Sequence, residues 1–357
     1  MAERIVLLLD MDYFYAQVEE RENPDLKGKS VIVCMVSARE GSLGAIAACN
    51  YPARRLGLHS GMPCSLARKK APEGVYLPAR RGFYSLVSDS IMDELKTRCD
   101  VLEQVSIDEA YMDVSTKTDY TGIEEFIISV KAAVMERERL TCSIGAGPNK
   151  LVAKMAASVN KPDGYRIIPP ENALEFVTSL PVSKLHGVGG KTLERLTGLG
   201  IATMSDLQKM SINALESEFG PSRGRMLYDG CRGMDESPVT EREKEQYGRL
   251  ASARSDTRDE SELAAIIDAL CGDIHGRIMK SGKEYRTVSS VFVLEDMQMR
   301  TRSRTLPAPT QSRDVLAETS KALLREFLSE YASRIRRIGV VASNLGGSGG
   351  QKTLADY

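Results

Sequence analysis

The sequence contains no tryptophan, and its aromatic residues amount to only 6%. Histidine is almost absent, and His59, His186 and His275 stand far apart. That excludes a His-rich metal centre. Any catalytic metal is expected to be a hard ion held by carboxylates. The seven cysteines (Cys34, Cys49, Cys64, Cys99, Cys142, Cys231, Cys271) form no CxxC pair, and their number is odd. This argues against a disulfide framework and a zinc knuckle, and it fits a reducing cytoplasm. No apolar run approaches the ~18 residues of a membrane span. The run Ile5 to Leu9 ends in Asp10 and lacks the cleavage site of a signal peptide. Neither secretion nor membrane insertion is expected. Net charge is uninformative, since 48 basic residues face 49 acidic ones.

What is present is an ordinary globular composition, 42% hydrophobic and 27% charged over 357 residues. Such a chain can bury two or three separate cores. Ile5 to Leu9 reads as a buried strand and Phe14 to Arg21 as a helix. Val31 to Val36 is a second strand, and 40–51 is rich in small side chains. Val101 to Val114 reads as strand, turn and strand. Ile123, Phe126, Ile127, Val130 and Val134 lie at helical spacing. CSIGAG (142–147) is strand-like, and 149–159 is helical. The first ~168 residues thus form an α/β or α+β unit. Residues 170–235 read as helices joined by glycine turns. Met234 to Gln246 is polar and reads as a linker. The segment 249–342 has the order β-α-β-β-α-β. GGSGG (346–350) tethers a final QKTLADY.

Several residues carry chemistry. Asp10 closes an apolar strand, and Asp108 and Glu109 sit in a second strand–turn element. Three carboxylates on adjacent strands can hold two divalent ions for an in-line phosphoryl displacement. Neighbours in a regular strand point to opposite faces. Asp108 and Glu109 can therefore share a site only if the backbone bends there. Either element taken alone is equally a turn with solvated acids. Tyr13, Phe14 and Tyr15 follow Asp10 directly. A ring under a nucleotide sugar would clash with a 2′-OH, and core packing is the alternative reading. Tyr51 and Arg54 lie one helical turn apart, and Arg suits a bidentate phosphate contact. Lys161 follows a helix and could add a positive charge. Gly187 and Gly189 form a GxG turn between helices, where backbone amides approach a phosphate. Arg277 to Arg304 holds seven basic and three acidic residues. Arg300, Arg302 and Arg304 alternate, so in a strand they share one face suited to a nucleic-acid backbone.

With these motifs in place, the sequence resembles the Y-family, DinB-like translesion DNA polymerases, closest in flavour to archaeal members. The resemblance spans about residues 4 to 343. It rests on DMDYFYAQVEE (10–20), NYPARRLGL (50–58), YLPARR (76–81), SIDEAYMD (106–113), GPNKLVAKMAASVNKP (147–162), the LHGVGGKT hairpin and RRIGV (336–340). It implies an α+β multidomain right hand. The palm would be 1–13 and 81–168, the fingers 14–80, and the thumb with its helix–hairpin–helix 169–236. A linker at 237–246, a little finger at 247–344 and a flexible tail at 345–357 would follow.

The resemblance also implies roles. Asp10, Asp108 and Glu109 would be the catalytic metal ligands for two Mg²⁺, with the Met11 backbone carbonyl as a further one. Tyr15 would be the steric gate against ribonucleotides, and Tyr13 and Phe14 would support the triphosphate and sugar. Tyr51, Arg54 and Lys161 would bind the triphosphate. Gly44 to Ala47 would roof the nascent pair loosely. Gly187, Gly189 and Lys191 in the thumb, and Arg300, Arg302, Arg304 and Arg336 in the little finger, would contact DNA. The activity implied is low-fidelity, template-directed extension of a primer with dNTPs, by a cytoplasmic monomer without membrane contact. Family members commonly carry Thr or Ser where this chain has Ala48. The missing hydroxyl predicts weaker nucleotide binding. QKTLADY resembles a sliding-clamp-binding peptide, with Gln351, Leu354 and Tyr357 as anchors. A template-free nucleotidyl cyclase is opposed by the thumb hairpin and the basic C-terminal domain. A silent DNA- and clamp-binding scaffold is opposed by the retention of all three acids.

Overall fold

The computed structural model describes residues 3–36 and 43–347. Gln351, Leu354 and Tyr357 lie outside the described residues. The first compact unit runs to Cys34 and resumes over Ala45–Arg242; the second takes Met35–Gly44 and the chain from Glu243.

The first unit opens with strand β1 (Val6–Met11) and helix α1 (Phe14–Glu22). Strands β2 (Val31–Val36), β3 (Leu43–Cys49) and β4 (Val75–Pro78) make a small sheet, in the order β3-β2-β4. Helices α2 (Tyr51–Arg55) and α3 (Cys64–Lys70) lie between β3 and β4 in sequence. Pro52 falls in the first turn of α2, where its missing N–H costs nothing. Next come α4 (Arg81–Lys96), β5 (Val101–Gln104), β6 (Glu109–Asp113) and α5 (Ile123–Glu138). Then follow β7 (Cys142–Gly147), α6 (Lys150–Ala157) and β8 (Tyr165–Ile167).

The large sheet has the order β5-β6-β1-β7-β8 and is covered on both faces. Alternation along β1 explains why. Leu7, Leu9 and Met11 join Tyr84, Ile91 and Ile127 in the core against α4 and α5. Val6 and Leu8 point the other way, to Ala153 and Ala157 of α6. α6 lies very close to β7. A Cβ on Gly145 would stand 2.0 Å from the Ala153 carbonyl oxygen, so only glycine fits. The loop leaving α6 is thereby held beside the even-numbered face of β1, the face of Asp10 and Asp12.

A helical region follows, with α7 (Ala173–Ser179), α8 (Gly190–Gly198), α9 (Met204–Gln208), α10 (Ile212–Phe219) and α11 (Pro221–Gly230) around Leu196, Leu207, Leu215 and Leu227. The expected linker is half packed. Val239 is buried with Val6, Leu8 and Tyr111. Buried Glu103 accepts from Lys150 at 3.0 Å, Arg242 at 2.8 Å and the Thr240 amide at 3.3 Å. Polar composition concealed one apolar residue and one ion-pair anchor.

One pairing was not foreseen. The sequence argued against a disulfide framework, and among the described residues the structure holds a single pair, Cys34 of β2 with Cys64 at the start of α3. They are 30 residues apart and follow no spacing motif. Tertiary proximity brings them together, and spacing could not reveal it. The other five cysteines are free and buried.

The second unit holds β9 (Gln246–Thr257), α12 (Glu260–Ser281), β10 (Lys283–Leu294), β11 (Met299–Thr310), α13 (Arg313–Glu330) and β12 (Ile335–Gly347). The order is β-α-β-β-α-β, and the sheet runs β11-β10-β12-β9. Both helices pack on one face, around Phe292 and Phe327. Those rings stack at 4.2 Å. Among the described residues no helix is long and apolar enough to cross a membrane.

Candidate active site

β1 and β6 run antiparallel, with Asp10 opposite Glu109. The Met11 amide donates to the Asp108 carbonyl at 2.9 Å. Asp108 itself precedes β6, in the bend after Val105. The amides of Val105 and Ser106 both donate to the Glu109 carbonyl, at 2.9 and 3.2 Å, and close that bend. Asp108 therefore escapes the strand alternation that governs Glu109. The backbone thus bends at the adjacent acids, but it does not bring their carboxylates into one site.

A cavity of about 250 Å³ opens at this end of the sheet. Asp10, Met11 and Asp108 line it, with Tyr13, Phe14, Tyr15, Arg54 and Lys161. Small Ala47 and Ala48 complete one wall. The Lys161 ammonium meets the Asp10 carboxylate directly. Burial pushes the Asp10 carboxyl above its ordinary range, against the pull of Lys161. Glu109 is not in this cavity. Its carboxylate meets Lys154 of α6 and faces a second cavity of about 670 Å³, which also contains Tyr111, His186 and Met226. Among the described residues, no three His, Cys, Asp or Glu side chains are close enough to hold an ion together. Asp10 and Asp108 with backbone oxygens form an all-oxygen set that fits a hard divalent ion, which keeps several water or phosphate ligands.

The aromatic residues are fixed by packing. Tyr13 adopts a left-handed backbone (φ 38°) at the start of α1, a conformation that non-glycine residues rarely take. Its ring meets Tyr51 edge-on at 5.3 Å. Tyr15 stacks on buried Tyr84 at 4.3 Å and 17°. The Arg54 guanidinium lies 5.0 Å over the Tyr51 ring. The Tyr51 hydroxyl is buried and has no partner among the described residues. A buried hydroxyl without a partner is costly, so an acceptor from a ligand fits there.

In the helical region, Gly187 has φ 90°, and a Cβ there would approach Met226 to 2.8 Å. Gly189 caps α8, with open space around it, and Lys191 is exposed in the first turn.

The arginine strand has the shared face that alternation predicts. Arg300, Arg302 and Arg304 do share one face of β11, but not the bare one. They stand opposite Phe292, Ser290 and Val288, all fully buried beneath the helices. Directly opposed residues share a face. Arg302 accordingly pairs with Glu330 of α13 and lies over Tyr331, and Arg304 pairs with Glu326. The bare face carries hydroxyls instead: Ser289 meets Ser303 at 2.7 Å and Thr287 meets Thr305 at 3.3 Å. Alternation gave the shared face, but only the sheet order and helix placement say which face it is. Arg336 ion-pairs with Asp256 at 3.6 Å. Sequence reasoning also missed Asp12, which is fully buried beside the site. Its only signal was a second acid two residues after Asp10.

A palm-type sheet presenting carboxylates and a cationic, aromatic cavity defines a nucleotidyl-transferring enzyme. Comparison with known proteins narrows the class. Residues 9–158 match the impB/mucB/samB family, 244–354 its C-terminal domain, and 183–235 the DNA polymerase-iota thumb domain. DNA polymerase IV 1 of Methanosarcina mazei is 43% identical over the whole of both chains. DNA polymerase IV of Nitrosopumilus maritimus is 38% identical, again over the whole of both. Among solved structures, a Y-family DNA polymerase chimera of Dbh and Dpo4 matches with a TM-score of 0.91 at 31% identity, covering 96% of this chain and 100% of that one. An insertion ternary complex of Dbh DNA polymerase matches at 0.73 and 30% identity, over 96% and 100%. The chain belongs to the Y-family DNA polymerases. It is a DNA-directed DNA polymerase of the translesion class.

Proposed function

We propose that the chain extends a primer along template DNA with deoxynucleoside triphosphates, at low fidelity. Residues 1–13 and 81–168 would act as palm, 14–80 as fingers, 169–236 as thumb and 247–344 as little finger. The observation that carries this reading is the shared cavity: Asp10 and Asp108 face Lys161, Arg54 and Tyr15 across one space. Asp10 and Asp108, with the Met11 carbonyl, would hold divalent ions, two Mg²⁺ in this reading, and Glu109 would join them on leaving Lys154. Those ions, when bound, neutralise the triphosphate and favour ionisation of the primer 3′-OH.

The other assignments describe this chain's own residues. Tyr51, Arg54 and Lys161 bind the triphosphate, and the orphan Tyr51 hydroxyl gains a phosphate acceptor. Tyr13 and Phe14 support triphosphate and sugar. Tyr15, braced by Tyr84, excludes a 2′-OH. Gly187, Gly189 and Lys191 hold a strand backbone without reading its sequence. Arg300, Arg302 and Arg304 on edge strand β11, and Arg336 on β12, contact phosphates. The pairs of Arg302 and Arg304 with glutamate are exposed and weak, so a phosphate can displace the glutamates. The enzyme acts as a cytoplasmic monomer, and its C-terminal Gln351, Leu354 and Tyr357 engage a sliding clamp.

The test is primer extension with Mg²⁺ on undamaged and abasic templates, with Asp108→Ala as control. Bypass that vanishes in the variant supports the reading. DNA binding without extension by the unaltered protein, with any divalent metal, would overturn it. Deleting 351–357 should leave distributive synthesis intact and abolish stimulation by the clamp.

A further inference from the structure

Asp12 lies two residues beyond Asp10 and outside the cavity. Its carboxylate is fully buried. A buried carboxylate needs donors for its lone pairs. Three converge on it. Thr141 Oγ1 donates at 2.9 Å, Ser143 Oγ at 2.8 Å and the Asp163 backbone N–H at 2.8 Å. The first two come from β7 and the residue before it. The third comes from the loop that leaves α6.

That loop also carries Lys161, whose ammonium meets Asp10. Its far side has a second tie, because Lys131 donates to the Asp163 carboxylate at 2.7 Å. Asp12 is itself rigidly held. Its amide donates to the Thr141 carbonyl at 3.2 Å, and its carbonyl accepts from Gln17 at 2.5 Å. A fixed carboxylate thus grips the backbone two residues from a long-stemmed lysine.

We propose that Asp12 is a positioning residue for Lys161. Its carboxylate pins the 161–163 loop to the sheet, so the Lys161 ammonium is presented into the nucleotide cavity with little conformational freedom left to lose. The proposal rests on the reading of Lys161 as a triphosphate ligand. The bonding pattern says which variants matter. One oxygen, Oδ2, accepts from both Thr141 and the Asp163 amide, while Oδ1 accepts only from Ser143. An asparagine with its oxygen at Oδ2 keeps both first bonds. Its NH₂ can then donate to the Ser143 hydroxyl, which turns to accept. An alanine loses all three.

Single-nucleotide insertion by the full chain reads the consequence. Asp12→Ala should raise the apparent KM for the nucleotide about tenfold, the size of one charge-assisted contact, with a smaller change in kcat. Asp12→Asn should stay near wild type. Asp12→Ala combined with Lys161→Ala should be no worse than Lys161→Ala alone. Additive losses, or an unchanged KM in a folded Asp12→Ala protein, would overturn the proposal. Thr141→Val removes one donor with little change in volume, and it covers the case where Asp12→Ala fails to fold. It should raise KM in the same direction by less. An unchanged KM there would likewise count against the pin. Lysine acylation mapped by mass spectrometry reads the loop without any nucleotide. Lys161 should become more reactive in Asp12→Ala, and unchanged reactivity would sink the proposal. An unchanged KM in Lys161→Ala would instead discredit Lys161 as a triphosphate ligand, while the acylation result still judges the role of Asp12.

Discussion

Asp10 and Glu109 stand opposite each other across β1 and β6, yet each carboxylate is held by a different lysine. Lys161, beyond α6, takes Asp10; Lys154, within α6, takes Glu109. Both acids lie on the face that α6 covers, so α6 and the loop leaving it supply the two counter-charges. Asp108 reaches the Asp10 cavity from the bend before β6, while Glu109 turns to the neighbouring cavity.

Tyr15 lines the cavity and cannot retreat, because it stacks on fully buried Tyr84. Tyr15→Ala is expected to raise ribonucleotide insertion relative to deoxyribonucleotide insertion by about a hundredfold, the scale on which a pocket distinguishes one small group. Steady-state insertion of paired ribo- and deoxyribonucleotides measures it. An unchanged ratio would remove the gate from Tyr15.

Ala48 offers only a methyl group to the cavity wall. Ala48→Thr adds a hydroxyl within that space. One new hydrogen bond contributes about 1 kcal/mol, or about a fivefold drop in apparent nucleotide KM. An unchanged KM in the insertion assay would show that the hydroxyl finds no phosphate.

Glu103 anchors the linker at Thr240 and Arg242. Burial favours its neutral form, but hydrogen bonds from Lys150, Arg242 and the Thr240 amide outweigh burial and hold its carboxyl below the usual glutamate range. A depressed carboxylate pKa stabilises the folded state above the unfolded pKa, and that contribution is lost as pH falls through the folded pKa. Glu103→Gln leaves two cations beside a neutral group. It should cost about 3 kcal/mol near neutral pH, with the deficit shrinking in acid. Denaturant melts of both proteins across pH test this; a pH-independent deficit would contradict it.

Arg302 and Arg304 lie at the sheet edge in exposed pairs. Replacing both with alanine should change stability by no more than about 1 kcal/mol. If both bind phosphate, the salt dependence of DNA affinity flattens by about 1.8 in log–log slope. A slope that does not move assigns DNA contact to the bare hydroxyl face instead.

Local pattern made much of this protein legible. The apolar run before Asp10 fixed β1, and alternation put Val6 and Leu8 on one face and Leu7 and Leu9 on the other. Helical spacing gave α5 and α12, and the six-element order of the second unit followed from periodicity alone. Tyr15 after Asp10, and Arg54 after Tyr51, were nameable from short motifs, because one strand end or one helical turn sets their spacing.

The tertiary structure decided what depends on partners distant in sequence. Cys34 meets Cys64, Glu103 takes Arg242, and Asp12 is satisfied by Thr141, Ser143 and Asp163. Strand alternation put three arginines on one side of β11, yet only the helices packed below showed that side to be the covered one. A residue's own neighbours fix its direction relative to the backbone. What it faces is set by elements that arrive from elsewhere in the chain, and no local spacing encodes them.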